Sequence, residues 1–289
     1  MDTTSRIERS LGQALSLAAG AEGPPKLQAA MRYAVFPGGA RIRPRLCLAV
    51  ARACGEDQPA LTDAAAAAIE LLHCASLVHD DLPCFDDAAT RRGRAAVHKA
   101  FGEPVAVLAG DALIVLAFQS LAVAAGGTPM RLAPLLNTVA RAAGAPHGIS
   151  AGQAWESEAV IALEHYQRAK TGALFAAATA AGAGAAGALD AGWHRLGERI
   201  GEAYQIADDI RDVVSSEAEI GKPVGQDRHL ARPNAVGALG LRGAIGRLER
   251  LVNEAVEDLP RCPGADALRK HIRSEANRLL PRRLARPAA

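Results

Sequence analysis

The stretch HCASLVHDDLPCFDDAATRRG, residues 73–93, places four carboxylates within eight positions: Asp80, Asp81, Asp86 and Asp87. An apolar helical pattern precedes them. We expect this helix to begin at a cap on Thr62 and to end near Asp81, because Pro83 disfavours helical geometry in the residue before it. The first two aspartates then lie at a helix C-terminus, where the helix dipole is negative. At an effective dielectric constant of about 20, two carboxylates about 4 Å apart repel each other by about 4 kcal/mol. Either a divalent cation offsets this repulsion, or the segment is a solvated acidic loop.

A second acidic cluster, YQIADDIRD at residues 204–212, is predicted to form a continuous helical face. Asp208 and Asp212 are four residues apart and share this face, although like charges at that spacing destabilise a helix. Gln205 precedes them by about one turn. Two such clusters favour a metal clamp with carboxylates on opposing walls. Because magnesium combines a few carboxylates with substrate phosphate oxygens, the pair predicts a phosphorylated substrate.

The composition predicts an all-α protein. Aromatic residues make up only 3% of the 289 residues, and alanine, the best helix former, dominates the apolar ones. Neither an alternating strand pattern nor a linker rich in proline, glycine and serine divides the chain, so we expect one domain over residues 1–289. The uncharged stretch from Thr171 to Leu189 is mostly alanine and glycine, which predicts a tightly packed internal helix rather than a membrane span.

Apolar periodicity and breaker residues predict the positions of the helices. One helix is expected to begin near Pro44, since proline fits a first helical turn, and to end near Gly55. The other expected helices cover residues 26–33, 95–101, 104–125, 129–143, 148–156, 164–187, 190–216, 232–239, 241–257 and 264–279.

Charge and cysteine content indicate where the protein works. The formal net charge is only +2, which gives no overall field to recruit nucleic acid. The five cysteines form no CxxC pair, which favours reduced thiols in a cytoplasm. The N-terminal segment has no apolar core, so we expect no signal peptide.

A diphosphate would be repelled by two carboxylate walls, so cations must complete the site. Several basic residues lie beside the glycine turns and aspartate clusters. They are Arg41, Arg43, Arg91, Arg92, Lys170, Lys222 and, in the tail, Arg282, Arg283 and Arg286.

These motifs together resemble the trans-polyprenyl diphosphate synthases, and especially the geranylgeranyl diphosphate synthases of bacterial carotenoid and bacteriochlorophyll pathways. The resemblance runs from about Tyr33 to Asp227. The segments that carry it, beyond the two clusters, are GGARIRP at 38–44, His98, Gly110-Asp111, KTGALF at 170–175 and GKPVGQD at 221–227. It implies an isoprenoid-synthase-type bundle of helices around a deep central cavity, usually as a homodimer.

The resemblance also implies roles for individual residues. Asp80, Asp86 and Asp208 would bind about three magnesium ions together with the allylic diphosphate, supported by Asp81, Asp209 and Asp212. Arg91, Lys170 and Lys222 would hold that diphosphate, which belongs to a dimethylallyl, geranyl or farnesyl substrate. Arg41, Arg43, His73 and Arg92 would hold isopentenyl diphosphate. Thr171, Gln205 and the Lys170 carbonyl would face the allylic carbocation that forms as diphosphate leaves, before the isopentenyl double bond attacks it.

Product length is expected to depend on small residues upstream of the first cluster. Ala75 and Ser76 lie about one turn before Asp80 and leave room for a long chain, whereas Leu72 or Leu71 closes the floor about two turns below. This predicts a C20 product, geranylgeranyl diphosphate. Farnesyl diphosphate (C15) is the alternative.

Two positions depart from the pattern of the family. Ala40 and Gln226 stand where relatives usually carry lysine, and each change removes positive charge from the diphosphate sites. Arg41 or an ordered C-terminal tail would compensate. A non-catalytic partner subunit of the same fold remains a rival interpretation, as does a terpene cyclase or a diphosphate hydrolase.

Overall fold

The computed structural model describes residues 2–20, 22–160, 163–214 and 234–279, and these are almost entirely helical. The helices are α1 (Thr3–Leu17), α2 (Pro25–Val35), α3 (Ile42–Ala53), α4 (Pro59–Asp80), α5 (Val97–Phe101), α6 (Glu103–Ala124), α7 (Leu132–Ala143), α8 (Ile149–Ala154), α9 (Leu163–Gln167), α10 (Ala173–Ala185), α11 (Ala191–Val214), α12 (Ala235–Glu257) and α13 (Ala265–Leu279). The prediction of an all-α fold is therefore confirmed. A two-stranded antiparallel hairpin, β1 (Thr90–Arg91) with β2 (Arg94–Ala95), was not predicted.

Helix α10 lies at the centre of the fold and packs against α3, α4, α7 and α11. Its alanines and glycines allow this, because a Cβ atom at Gly182 would collide with the Cys47 carbonyl oxygen of α3. A Cβ atom at Gly197 of α11 would collide with the Phe175 carbonyl oxygen of α10 in the same way. The prediction of a tightly packed internal helix within Thr171–Leu189 is confirmed. Its N-terminal side differs from the prediction, since a π-helical turn, Arg168–Gly172, separates α9 from α10.

Helix α4 carries the first acidic cluster at its C-terminus, and it ends at Asp80 as the downstream proline predicts. The predicted cap at Thr62 is wrong. The helix begins at Pro59, and the Thr62 hydroxyl instead donates a hydrogen bond of 3.3 Å to the Gln58 carbonyl oxygen within the first turn. A proline one turn earlier already fits a helix start, so the threonine is not needed there.

Helix α12 has a sharp kink at Gly240, whose backbone angles are φ 68° and ψ 164°. Residues other than glycine rarely adopt such a φ. The predicted interruption between helices 232–239 and 241–257 is therefore confirmed, with the upstream part starting at Ala235.

Helices α4 and α6 are long and apolar enough to cross a membrane by length and composition alone. The apolar window of α4 is 72% buried within the protein, as expected for a core helix, and that of α6 is 44% buried. One face of α6 packs on α4. The opposite face exposes Leu108, Val115 and Val123.

Candidate active site

A cavity of about 950 Å³ opens among α4, α6, α7, α10 and α11. The two acidic clusters meet there, because Asp80 from α4 and Asp208 from α11 both line it. Other polar side chains in its wall include Arg43, His73, Arg91, Lys170, Thr171 and Gln205. The remaining wall is largely apolar and includes Leu72, Ala75, Ile114, Phe118 and Leu174. The cavity therefore combines a charged region with an apolar space.

Asp80 is the carboxylate of the first cluster that faces the cavity, and it is half-buried. Its Oδ1 atom is buried and accepts no hydrogen bond, while Lys170 Nζ lies 3.6 Å away. Burial raises the pKa of Asp80, and the nearby Lys170 opposes that shift. A buried carboxylate oxygen without a donor is a suitable position for a cation.

Asp81 points away from the cavity into a buried ion pair. Arg91, from the β1 strand, donates to it through Nε at 2.9 Å and also through Nη2. Burial raises the pKa of the Asp81 carboxyl, whereas the hydrogen bond from Arg91 lowers it. Asp81 thus fixes the hairpin that follows the cluster, and so helps to place Arg91 in the cavity wall.

Lys170 lies between the two walls on the π-helical turn. Besides its contact with Asp80, its Nζ donates to Glu156 Oε1 at 2.5 Å. Glu156 also accepts hydrogen bonds from Tyr166 and Gln153. Glu156 was not predicted as a site residue, because a single carboxylate in an irregular segment gives no periodic signal.

In the second cluster, as in the first, one of the two adjacent aspartates faces the cavity and the other is buried. Asp208 faces the cavity, whereas Asp209 is buried and 3% exposed. Asp209 accepts a hydrogen bond of 2.9 Å from Gln205 Nε2 and one of 2.7 Å from the backbone N–H of Ala235, at the start of α12. The Oε1 atom of Gln205 in turn accepts from the Thr171 hydroxyl at 2.8 Å. The orientation of the Gln205 amide is therefore set on both sides. Asp209, predicted as a catalytic residue, holds Gln205 rather than facing the cavity.

Arg43 and His73 form a positive corner of the cavity, near the exposed Arg92. The guanidinium carbon of Arg43 lies 4.6 Å from the centre of the Phe175 ring, and its Nε is buried without a hydrogen-bond partner. Burial, followed by the charges of Arg43 and Arg92, holds the pKa of His73 well below 6.5. His73 is therefore neutral at physiological pH, and the arginines carry the charge of this corner.

Arg41 does not reach the cavity, so its predicted contact with isopentenyl diphosphate needs correction. It adopts the left-handed conformation, with φ 52°, immediately before α3. Its side chain lies in the core, where it pairs with Glu8 at 2.8 Å and with Glu70 at 2.7 Å. Two carboxylates already satisfy this guanidinium, which links α1 to α4.

His79 and Gly110 show how α4 is held against α6. The His79 Nε2 atom lies 3.2 Å from the Val107 carbonyl oxygen and 3.7 Å from Asp111 Oδ1. A Cβ atom at Gly110 would collide with the imidazole ring, so a larger residue there would displace His79. This contact orients the helix end that carries Asp80.

The described residues do not form a complete metal cage, since no three carboxylate, imidazole or thiol side chains among them converge on one point. The donors nevertheless fit magnesium, which takes one or two carboxylates and completes its octahedron with waters and substrate phosphates. Lys222, Gln226 and the arginines of the tail lie outside the described residues, as does the tail itself.

Comparisons with known proteins agree with this geometry. The family profile "Polyprenyl synthetase" matches residues 24–261. A geranylgeranyl diphosphate synthase of Cereibacter sphaeroides is 54% identical over 280 residues, covering 97% of each chain.

Solved structures show the same fold. The crystal structure of a geranyltransferase from Legionella pneumophila superposes with a TM-score of 0.80 at 26% identity, covering 96% of this chain and 94% of that one. A geranyltransferase from Helicobacter pylori, solved with magnesium and isoprenyl diphosphate, gives a TM-score of 0.77 at 30% identity, covering 95% of this chain and 97% of that one. The chain therefore belongs to the polyprenyl synthetase family.

Proposed function

We propose that this protein catalyses the magnesium-dependent, head-to-tail condensation of isopentenyl diphosphate with allylic diphosphates. The observation that carries the proposal is the meeting of Asp80 and Asp208 at one cavity that also has an apolar interior. The charged region of the cavity suits the diphosphate, and its apolar space suits the prenyl chain.

The residues of the cavity have distinct tasks in this reaction. Asp80 and Asp208 line the cavity, and the charge of Asp86 acts on Asp80. These three aspartates would hold the magnesium, about three ions with substrate bound, which would supply positive charge to the departing diphosphate. Lys170 and Arg91 add positive charge on the same side. The Thr171 hydroxyl and the Gln205 amide, already aligned with each other, present oxygen atoms to the developing allylic cation. The apolar wall excludes water, which would otherwise capture that cation.

We further propose that the main product is geranylgeranyl diphosphate. Ala75 and Leu72 line the cavity below Asp80, and Ile114 and Phe118 of α6 lie in its wall as well. The small side chain at Ala75 leaves the path of the growing chain open. The name of the Cereibacter sphaeroides relative, a geranylgeranyl diphosphate synthase, supports the same length.

One assay tests this proposal. Purified protein would be incubated with magnesium, isopentenyl diphosphate and a C5, C10 or C15 primer, and the products separated by chain length. We expect a C20 diphosphate from each primer. A hydrocarbon product would indicate a cyclase instead, and a C15 end product a farnesyl diphosphate synthase. No product from the protein alone would favour a non-catalytic partner subunit.

The exposed apolar face of α6 supports a homodimer. Leu108 is 55% exposed, Val115 65% and Val123 61%, and they recur along one side of the helix. Burying such a face against a second copy removes apolar surface from water. Light scattering after size-exclusion chromatography would report a dimer, and we expect Val115→Glu to shift it towards monomer. A wild-type monomer would refute this proposal.

We place the protein in the cytoplasm. All five cysteines are free thiols in the structure, as a reducing compartment would keep them. Cell fractionation followed by immunoblotting would test this, and recovery in a membrane or extracellular fraction would contradict it.

A further inference from the structure

Arg211 places a positive charge within the carboxylate face of the second cluster, between Asp208 and Asp212. Its Nη2 donates a hydrogen bond of 2.7 Å to Asp208 Oδ1. An ion pair at this helical spacing contributes only about 0.2–0.5 kcal/mol to helix stability. Stability alone therefore gives little reason for a cation at this position.

The guanidinium of Arg211 lies near the same aromatic ring, that of Tyr204, as the guanidinium of Arg43. The guanidinium carbons of the two arginines each lie 5.8 Å from the centre of the Tyr204 ring. The Tyr204 and Phe175 rings are packed with their centres 5.0 Å apart. One cation from α3 and one from α11 thus lie near the same Tyr204 ring, which lines the cavity.

Both arginines retain an unused donor there. The Nε atoms of Arg43 and Arg211 are buried and have no hydrogen-bond partner in the described part of the protein. A buried donor left unpaired costs about 1–3 kcal/mol, and more when the group is charged. A phosphate group would satisfy both, because its oxygens match the planar donors of a guanidinium.

The position of Arg211 distinguishes between the two diphosphates of the proposed reaction. The cations near Asp80, on the other wall, are Lys170 at 3.6 Å and Arg91 at 3.9 Å. Arg211 instead lies near Tyr204, the ring that also contacts Arg43, and Arg43 belongs to the corner proposed for isopentenyl diphosphate.

The turn before α3 brings little charge to that same corner. A Cβ atom at Gly39 would lie 3.2 Å from Arg92 Nε, so this turn borders the corner. Ala40 has only a methyl side chain, however, and Arg41 is buried among carboxylates. Any positive charge beyond that of Arg43 and Arg92 must therefore come from another element.

We infer that Arg211 binds the diphosphate of isopentenyl diphosphate and supplies charge that Ala40 and Arg41 do not bring to that site. This inference rests on the proposed function. Two of the Arg211 donors have separate targets, since Nη2 holds Asp208 while Nε is available to a phosphate oxygen. Arg211 is thus a specificity-determining residue for the isopentenyl substrate, and not for the allylic one.

The test compares Arg211→Leu with Arg195→Leu, a change to an exposed arginine of the same helix outside the cavity. Isothermal titration would measure isopentenyl diphosphate binding in the presence of magnesium and an unreactive allylic thiolodiphosphate. We expect Arg211→Leu to weaken binding by about 10- to 100-fold, the value of one or two charged hydrogen bonds. The KM for isopentenyl diphosphate would rise in parallel, the KM for the allylic primer would stay unchanged, and Arg195→Leu would behave as wild type. Arg211→Lys, which keeps the charge but lacks the Nε geometry, would give an intermediate loss.

A second arm restores the missing charge. Ala40→Lys in the Arg211→Leu background is expected to recover most of the lost affinity, and to improve the wild type much less, since the two sites would be coupled. Unchanged isopentenyl diphosphate binding in folded Arg211→Leu or Arg211→Lys would overturn the inference. A rise in the allylic KM alone, or a change only in the magnesium requirement, would overturn it as well. One further outcome is that the wild type makes no product longer than its primer while Arg211→Leu still weakens the binding of isopentenyl diphosphate. In that case the proposed reaction would fail, but the assignment of Arg211 would stand.

Discussion

The two acidic clusters arrange their neighbouring aspartates in the same way but use different partners. In each pair the first residue, Asp80 or Asp208, faces the cavity, and the second, Asp81 or Asp209, is buried with 1% or 3% exposure. Asp81 pairs with a charged guanidinium on a hairpin, whereas Asp209 accepts from a neutral amide and a backbone N–H. The first buried aspartate therefore anchors a loop through charge, and the second orients a side chain and caps a helix.

The largest effect is expected where the clusters are alike. Asp80→Asn and Asp208→Asn should each lower kcat/KM by about 10³-fold, because each removes a carboxylate proposed to hold magnesium. Steady-state kinetics at saturating magnesium would measure this. Asp87→Asn is the matched control, since Asp87 is exposed and pairs with Lys99 at 3.0 Å. Equal losses in Asp87→Asn and Asp80→Asn would show that the cavity-facing position is not what matters.

The length of the product tests the helix face that precedes the first cluster. The α4 face before Asp80 lines the apolar cavity, so Ala75→Phe should shorten the product from C20 towards C15 by filling that space. Phe118→Ala, on the opposing α6 helix, should lengthen it. Chromatography of the dephosphorylated products would report both. An unchanged C20 product from Ala75→Phe would remove Ala75 from the chain-length path.

Substitutions of the two buried aspartates, Asp81 and Asp209, are expected to lower the free energy of unfolding by different amounts. Asp81→Asn leaves the Arg91 guanidinium without its counter-charge, so we expect the free energy of unfolding to fall by about 2–3 kcal/mol. Asp209→Asn changes the acceptor of the hydrogen bonds from the Gln205 amide and the Ala235 N–H, so we expect a loss of about 1 kcal/mol and a lower kcat through a misoriented Gln205. Urea denaturation would compare the two. Equal losses of stability would contradict the larger value assigned to the Asp81–Arg91 ion pair.

The smallest expected effect concerns His73, which lies on α4 about two turns before Asp80. Its pKa in the folded protein lies well below 6.5, because burial and neighbouring arginines disfavour the protonated ring. The unfolded chain therefore binds the proton first as the pH falls below 6.5, and this destabilises the fold. Relative to wild type, His73→Gln should gain up to about 1 kcal/mol near pH 5.5, and this gain should vanish above pH 7. A pH-independent difference would contradict the assigned cause.

Much of the fold follows from local features of the sequence. The end of α4 before Pro83 and the break at Gly240 depend on the backbone restrictions of single residues, and both were predicted. The start of α4 was misplaced because Thr62 and Pro59 are both acceptable near a helix start, and the sequence offers no way to rank them. The π-helical turn that presents Lys170 and Thr171 was missed, since it has the same composition as the helix around it.

The sequence by itself determined the two carboxylate clusters, the all-α class and the cations beside them, because charge spacing and helix propensity act within a few residues. Only the tertiary structure decided which aspartate of each pair faces the cavity, since their partners, Arg91 and Ala235, come from other elements. It also decided that Arg41 is buried and that Glu156 contacts Lys170. The physical reason is that burial and ion pairing depend on residues far apart in the chain, and for Arg41 the deciding carboxylates belong to α1 and α4.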